Sequence, residues 1–107
     1  PECGKQFGKR AFVPTIQGHG KKLGKRPEDC HVGAKTCVKL ACALDGGISW
    51  CNDGDMPITR PCSDLARDAV RVMTRCKHGP NKQRKSWVHG QVRDSESSRV
   101  VVNNSGC

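Results

Sequence analysis

The chain has 107 residues, enough for one domain with one core, and it carries 19 Lys and Arg against 10 Asp and Glu, a formal net charge of +9. No apolar run approaches the roughly 20 residues that a membrane-spanning helix needs, which excludes such a helix. Because only two Phe, two Trp and no Tyr are present, the core must be modest, and a chain this basic is drawn to anionic partners such as membranes, cell-wall polymers, acidic channel mouths or nucleic acid.

Cysteine is used heavily, at Cys3, Cys30, Cys37, Cys42, Cys51, Cys62, Cys76 and Cys107. An even number in a short chain is typical of a disulfide framework formed in an oxidising compartment, so we expect four bridges and a secreted, extracellular protein. Structural zinc is the main alternative, but no two cysteines have the C-x-x-C spacing of such sites and the four histidines complete no finger pattern. The sequence therefore predicts no metal and no other cofactor.

Residues 1–29 are rich in glycine and basic side chains, and their apolar residues cluster near Phe7, Phe12, Val13 and Ile16. We expect a short ordered piece near 7–16 and then a flexible basic loop to about Pro27.

The stretch "TCVKLACAL" from Thr36 to Leu44 alternates with a period of two, which predicts a strand with one face in the core. The core face would carry Val38, Leu40, Cys42 and Leu44. "DGG" at 45–47 predicts a hairpin to a second strand at "ISWC", and "NDGDMP" at 52–57 is a turn-rich link into the next element.

The stretch "PCSDLARDAVRVMTRC" predicts a helix bounded by Cys62 and Cys76. Its apolar stripe would consist of Cys62, Leu65, Ala66, Ala69, Val70, Met73 and Cys76. Asp64 with Arg67, and Asp68 with Arg71, are i,i+3 pairs on the polar side. Because 14 residues span nearly four helical turns, both cysteines should face the same side, where each can reach a sheet.

After a basic loop at 81–86, "WVHGQVRD" and "SRVVVNNSGC" predict two strands joined by a polar link at 95–98, with Val100–Val102 well covered and Cys107 tying down the end. These elements predict an α+β fold in a single domain, 1–107. It is a disulfide-stapled sandwich with a mainly antiparallel sheet and one or two helices packed on one face.

No catalytic constellation stands out. Eight paired cysteines leave no thiol nucleophile, and His31 and His89, with basic neighbours, are the candidates for a ribonuclease's acid and base. Nucleic-acid binding would need aromatic residues among the basic ones, and only Trp87, next to "KQRK", fits. We therefore expect a binding protein rather than an enzyme, with nucleic acid a disfavoured partner.

The order of long N-terminal loop, cysteine-bearing strand, cysteine-bounded helix and "HGQVRDSESSRVVVNNSGC" ending resembles the fungal KP4-type killer toxins over about 36–107. The resemblance implies a sheet of about five strands with helices on one side. It also implies bridges from Cys76 to Cys3 and from Cys62 to Cys30, with Cys37, Cys42, Cys51 and Cys107 paired among themselves.

The same resemblance implies an extracellular growth inhibitor that blocks calcium channels with an exposed lysine, for which Lys39 is the nearest match. A projecting cation can enter a carboxylate-lined pore and occupy an ion's site. Further candidate contacts to a target-cell channel, anionic membrane or wall polymer are Lys35, Lys21, Lys22, Lys25, Arg26, Arg84 and Lys85. We expect a monomeric toxin or effector; the alternatives are a secreted ribonuclease-like or RNA-binding protein and a basic antimicrobial protein.

Overall fold

The computed structural model describes residues 1–106, in which strands and helices follow one another along the chain. In chain order they are β1 (Glu2–Cys3), β2 (Ala11–Phe12), α1 (Val13–Gly24), β3 (Asp29–Val32), β4 (Thr36–Ala43), β5 (Gly46–Asn52), β6 (Ile58–Pro61), α2 (Cys62–Cys76), β7 (Lys77–His78), β8 (Trp87–Val88), β9 (Gly90–Arg93) and β10 (Ser98–Asn103). The predicted fold class is confirmed: the sheets are antiparallel and two helices pack against them.

The main sheet has five strands in the order β1-β9-β10-β5-β4. Val100 lies opposite Trp50 and Val102 opposite Ile48, and all four side chains are fully buried. Both helices pack on this face, so the core lies between the helices and the apolar half of the alternating strands. Two smaller sheets complete the fold, one of β2-β8-β7 and one of β3-β6.

The cysteine-bounded helix is confirmed as α2, including its ion pairs, with Arg67 contacting Asp64 and Arg71 Nη1 lying 3.4 Å from Asp68 Oδ1. Its apolar stripe was partly wrong. Val72 is fully buried, whereas Val70 is 44% exposed and Met73 lies at the edge of the core. The helix is rotated about its axis relative to the predicted orientation. That orientation depends on tertiary contacts, which the apolar periodicity of the helix does not specify.

The expected basic loop was wrong, because residues 13–24 form helix α1. Its buried positions, Val13, Ile16, Gly20 and Leu23, recur at helical spacing. Two of the glycines that suggest a loop lie at the contact between α1 and α2. A Cβ on Gly20 would lie 3.6 Å from Val70 Cγ2, and one on Gly24 would lie 3.6 Å from Ala66 Cβ, so both glycines face α2 at ordinary van der Waals distance.

The strand at 36–43 is confirmed, but its simple alternation was wrong at Leu44, which is 94% exposed. The pairing register shifts between Lys39 and Ala41, so Leu40 is an extra residue in a β-bulge and the inward face changes after it. Ala43 pairs with Gly46, which places the hairpin turn at Leu44-Asp45, one residue earlier than expected.

Both disulfides implied for the helix ends are confirmed, as Cys3–Cys76 and Cys30–Cys62. A third, Cys37–Cys51, joins directly opposite residues of β4 and β5. Cys42 is disulfide-bonded as well, and the expected role of Cys107 lies outside the described residues. Each end of α2 is thus tied to a different strand, β1 at Cys76 and β3 at Cys62.

A buried carboxylate joins α2 to the strands. Asp94, whose side chain is 1% exposed, accepts hydrogen bonds from Trp50 Nε1 at 3.2 Å, from the Ser98 hydroxyl and from Arg60. Arg60 Nη1 also lies 3.2 Å from Asp68 Oδ2 on α2. Burial by itself lowers the pKa of Arg60, but the hydrogen bonds to Asp94 and Asp68 outweigh it and raise the pKa above its ordinary value.

Removing the Cys3–Cys76 bridge should cost more stability than removing Cys37–Cys51. The first closes a sequence separation of 73 residues and the second one of 14. Loop entropy then predicts a loss of about 4 kcal/mol for Cys3→Ser with Cys76→Ser and about 3 kcal/mol for Cys37→Ser with Cys51→Ser. Urea unfolding of the two variants measures both, and a larger loss in the second variant would contradict this account.

Asp94→Asn should lower the free energy of unfolding by about 2 kcal/mol or more, because it leaves the guanidinium of Arg60 less well paired in a partly buried site. Asp53→Asn is the matched control, since Asp53 pairs with Arg99 at the surface and should contribute little. Equal unfolding midpoints for the two variants in urea would show that the hydrogen bonds of Asp94 contribute no more to stability than a surface ion pair.

Candidate anion-binding surface

The charges of this chain are segregated along the sequence. Residues 3–27 and 69–93 contain no Asp or Glu, yet they hold 14 of the 19 basic residues. These are Lys5, Lys9, Arg10, Lys21, Lys22, Lys25 and Arg26 in the first segment, and Arg71, Arg75, Lys77, Lys82, Arg84, Lys85 and Arg93 in the second. The rest of the chain carries five basic residues and all ten acidic ones, so it is net negative.

The fold brings the two acid-free segments together. Strand β2 of the first pairs with β8 of the second, which pairs with β7, and α1 packs on α2. All 14 basic side chains are exposed, and among the described residues only Arg26 and Arg71 form ion pairs with a carboxylate. We call these two segments the cationic region. Such a concentration of one sign of charge attracts anions.

Four ring side chains gather on the sheet β2-β8-β7 within the cationic region. Phe12 and His78 lie directly opposite Trp87 on the two neighbouring strands, so the three side chains share one face. The ring centroids of Phe12 and Trp87 are 5.2 Å apart, and those of His78 and His89 are 5.5 Å apart, edge to face. The Arg10 guanidinium lies 5.0 Å from the Trp87 ring centroid.

Lys39, the candidate channel-blocking residue, is exposed on β4 but its amine is already engaged. Nζ donates hydrogen bonds to Ser105 Oγ at 3.1 Å and to the Gly106 carbonyl. Lys39 and Arg26 line one shallow depression of about 250 Å³ together with His31 and Asp29. The structure therefore brings together two of the predicted binding residues at this place.

The other predicted binding residues are distributed over the surface. Lys21 and Lys22 are exposed on α1, and Lys25 follows its end; Arg84 and Lys85 are exposed in the loop between β7 and β8. Lys35 lies outside the cationic region and its Nζ is 3.1 Å from Asp55 Oδ1. Arg26 Nε is 2.7 Å from Glu28 Oε1, and this hydrogen bond holds the pKa of Glu28 below its ordinary value.

The two histidines considered as a catalytic pair have separate partners. His31 Nδ1 lies 2.8 Å from Thr59 Oγ1 across β3 and β6, and His89 Nδ1 lies 2.9 Å from the Gly8 carbonyl oxygen. The ring that contacts His89 is that of His78. Among residues 1–106, no three side chains of the metal-binding types converge.

Neither helix in the described part of the chain is long and apolar enough to cross a bilayer. Comparisons of the chain with models of protein families, with curated protein sequences and with solved structures gave no match. The disulfides fit a protein that matures in an oxidising compartment.

Reasoning from the sequence missed the two features that define this surface. The two acid-free segments can be recognised in the sequence. Their proximity in the fold depends on the pairing of β2 with β8, which the sequence did not predict. Of the ring cluster, the sequence indicated only Trp87 beside "KQRK", because Phe12, His78 and His89 come from two other strands and a junction that no local pattern connects.

Proposed function

We propose that this chain is a secreted, disulfide-stabilised toxin or effector that binds an anionic component of a target cell and inhibits its growth. The observation that carries the proposal is the cationic region, with 14 exposed basic residues and no acidic one in residues 3–27 and 69–93. The same net charge with both signs interspersed would keep a protein in solution equally well, whereas like charges held together repel one another and weaken the fold. A binding role explains why the charges are separated.

The disulfides support the same function. A protein that acts outside the cell meets oxidising conditions, in which such bridges persist. Bridges that constrain the unfolded chain also offset the repulsion within the cationic region. Secretion and growth inhibition further rest on the resemblance to the killer toxins.

The cationic region, rather than Lys39, is the main contact in this proposal. For Lys39 to enter a carboxylate-lined channel mouth, its amine would first have to leave Ser105 and Gly106. The basic side chains of α1 and of the loop between β7 and β8 need no such release, since within the described residues none of them forms an ion pair or a side-chain hydrogen bond. Anionic lipid and wall polymers are the partners whose charge such a surface complements.

Two charge-matched variants test the proposal in a growth-inhibition assay on susceptible cells. Lys21→Gln with Lys22→Gln removes two charges from the cationic region, and Lys35→Gln with Lys39→Gln removes two from outside it. Each basic residue near an anionic surface contributes roughly 1 kcal/mol, so the first variant should need about thirtyfold more protein for the same inhibition, and the second about as much as the unchanged chain.

The reverse order would contradict the assignment to the cationic region and would point to Lys39. Added calcium separates the two mechanisms further. Rescue of growth by calcium, to the same extent for both variants, would favour channel block, whereas dye leakage from anionic liposomes that is lost at high salt would favour the membrane as target.

A further inference from the structure

The sheet of β2, β8 and β7 has two unlike faces. Ala11 and Val88 lie opposite each other and are fully buried in the core. The adjacent row of opposed residues, Phe12, Trp87 and His78, projects on the other face, where Phe12 and Trp87 are half-buried and His78 is exposed. A soluble sheet face of this kind usually carries polar, flexible side chains, so a row of flat rings calls for a ligand that rings can bind.

We propose that this ring-bearing face binds single-stranded nucleic acid, with bases stacked on His78 and on Arg10, which lies over Trp87, and with phosphates paired to the neighbouring basic side chains. Bases stack on aromatic rings and on guanidinium planes, because both are flat and polarisable. The Arg10 guanidinium, 5.0 Å from the Trp87 centroid, is exposed and presents such a plane. This inference goes beyond the proposed function, since it names a ligand other than the cell surface.

The charges beside the rings suit a phosphate backbone. The loop that joins β7 to β8 carries Lys82, Arg84 and Lys85, all exposed, and no acidic residue occurs in 69–93. Cations set beside stacking rings are the combination by which proteins bind single strands without sequence preference. The loop begins next to His78 and ends next to Trp87, so its charges adjoin the rings.

His89 adds a hydrogen-bonding group at the edge of the row. The Gly8 carbonyl can only accept, so at 2.9 Å it requires the proton on His89 Nδ1. In the neutral ring, Nε2 is then an acceptor that can take a hydrogen bond from a base.

The covering of Trp87 by Arg10 argues against an acidic polysaccharide as the ligand. Sugar rings pack on open aromatic faces, and Arg10 replaces such a face with a planar cation. A guanidinium can stack on a base and can also pair with a phosphate. Nucleic acid offers both groups, whereas an acidic polysaccharide offers only the negative charge.

Fluorescence anisotropy with two probes of equal length and charge tests the proposal. One probe is a labelled 12-nucleotide oligothymidylate, and the other is the same sugar-phosphate chain without bases. Because stacked bases add affinity that the chain without bases lacks, the oligothymidylate should bind at least tenfold more tightly. Arg10→Gln and His78→Ala, both at exposed positions, should reduce this preference severalfold, whereas Lys21→Gln with Lys22→Gln should weaken both probes equally.

Equal affinity for the two probes, or no measurable binding of either, would overturn the proposal. A competition experiment could also overturn it. If unlabelled polygalacturonate displaced the labelled oligothymidylate as effectively as unlabelled oligothymidylate of equal charge, the ligand would not be nucleic acid. The binding measurement is independent of the growth-inhibition assay. A protein that inhibits growth but does not distinguish the probes would retain its proposed function and lose only this ligand.

Discussion

Helix α2 is held at both ends by disulfides, and the rest of the structure is arranged around that constraint. Cys76 is bound to Cys3 on β1, and Cys62 is bound to Cys30 on β3. With both ends fixed, the helix presents Asp68 to Arg60, which in turn contacts the buried Asp94 between β9 and β10. The same fixed helix packs against α1, which faces it at Gly20 and Gly24.

The packing of α1 on α2 creates electrostatic repulsion within the cationic region, and the disulfides counteract its effect on stability. Placing α1 against α2, and β2 against β8, brings two acid-free segments side by side. Their exposed cations repel one another in the folded state and separate when the chain unfolds, which favours unfolding. Bridges act in the opposite sense, because they limit how far the unfolded chain can expand. Stability supplied by the disulfides therefore offsets part of the repulsion that this charge pattern creates.

Much of the fold was predictable from the sequence, namely the elements whose local apolar pattern matches the burial of their residues in the structure. The helix at 62–76 has apolar spacing and cysteines at its ends, the strand at 36–43 shows a period of two, and the strand at 98–103 carries the apolar run Val100–Val102. Prediction failed where tertiary packing decides. Helix α1 carries three glycines that suggest a loop, although two of them, Gly20 and Gly24, lie against α2, and Leu44 lies in the hairpin turn after a strand whose register shifts at Leu40. The pairing of β3 with β6 gave no signal, because each is only four residues long.

The central claim is that the cationic region is the binding surface, and nuclear magnetic resonance tests it most directly. Tripolyphosphate titrated into ¹⁵N-labelled protein at low salt should shift amide signals in 3–27 and 69–93 and leave those near Lys35 and Lys39 almost unchanged. Because the probe carries charge but no shape specific to any one partner, it reports where anions collect. Shifts spread evenly over the chain, or centred on Lys39, would contradict the account.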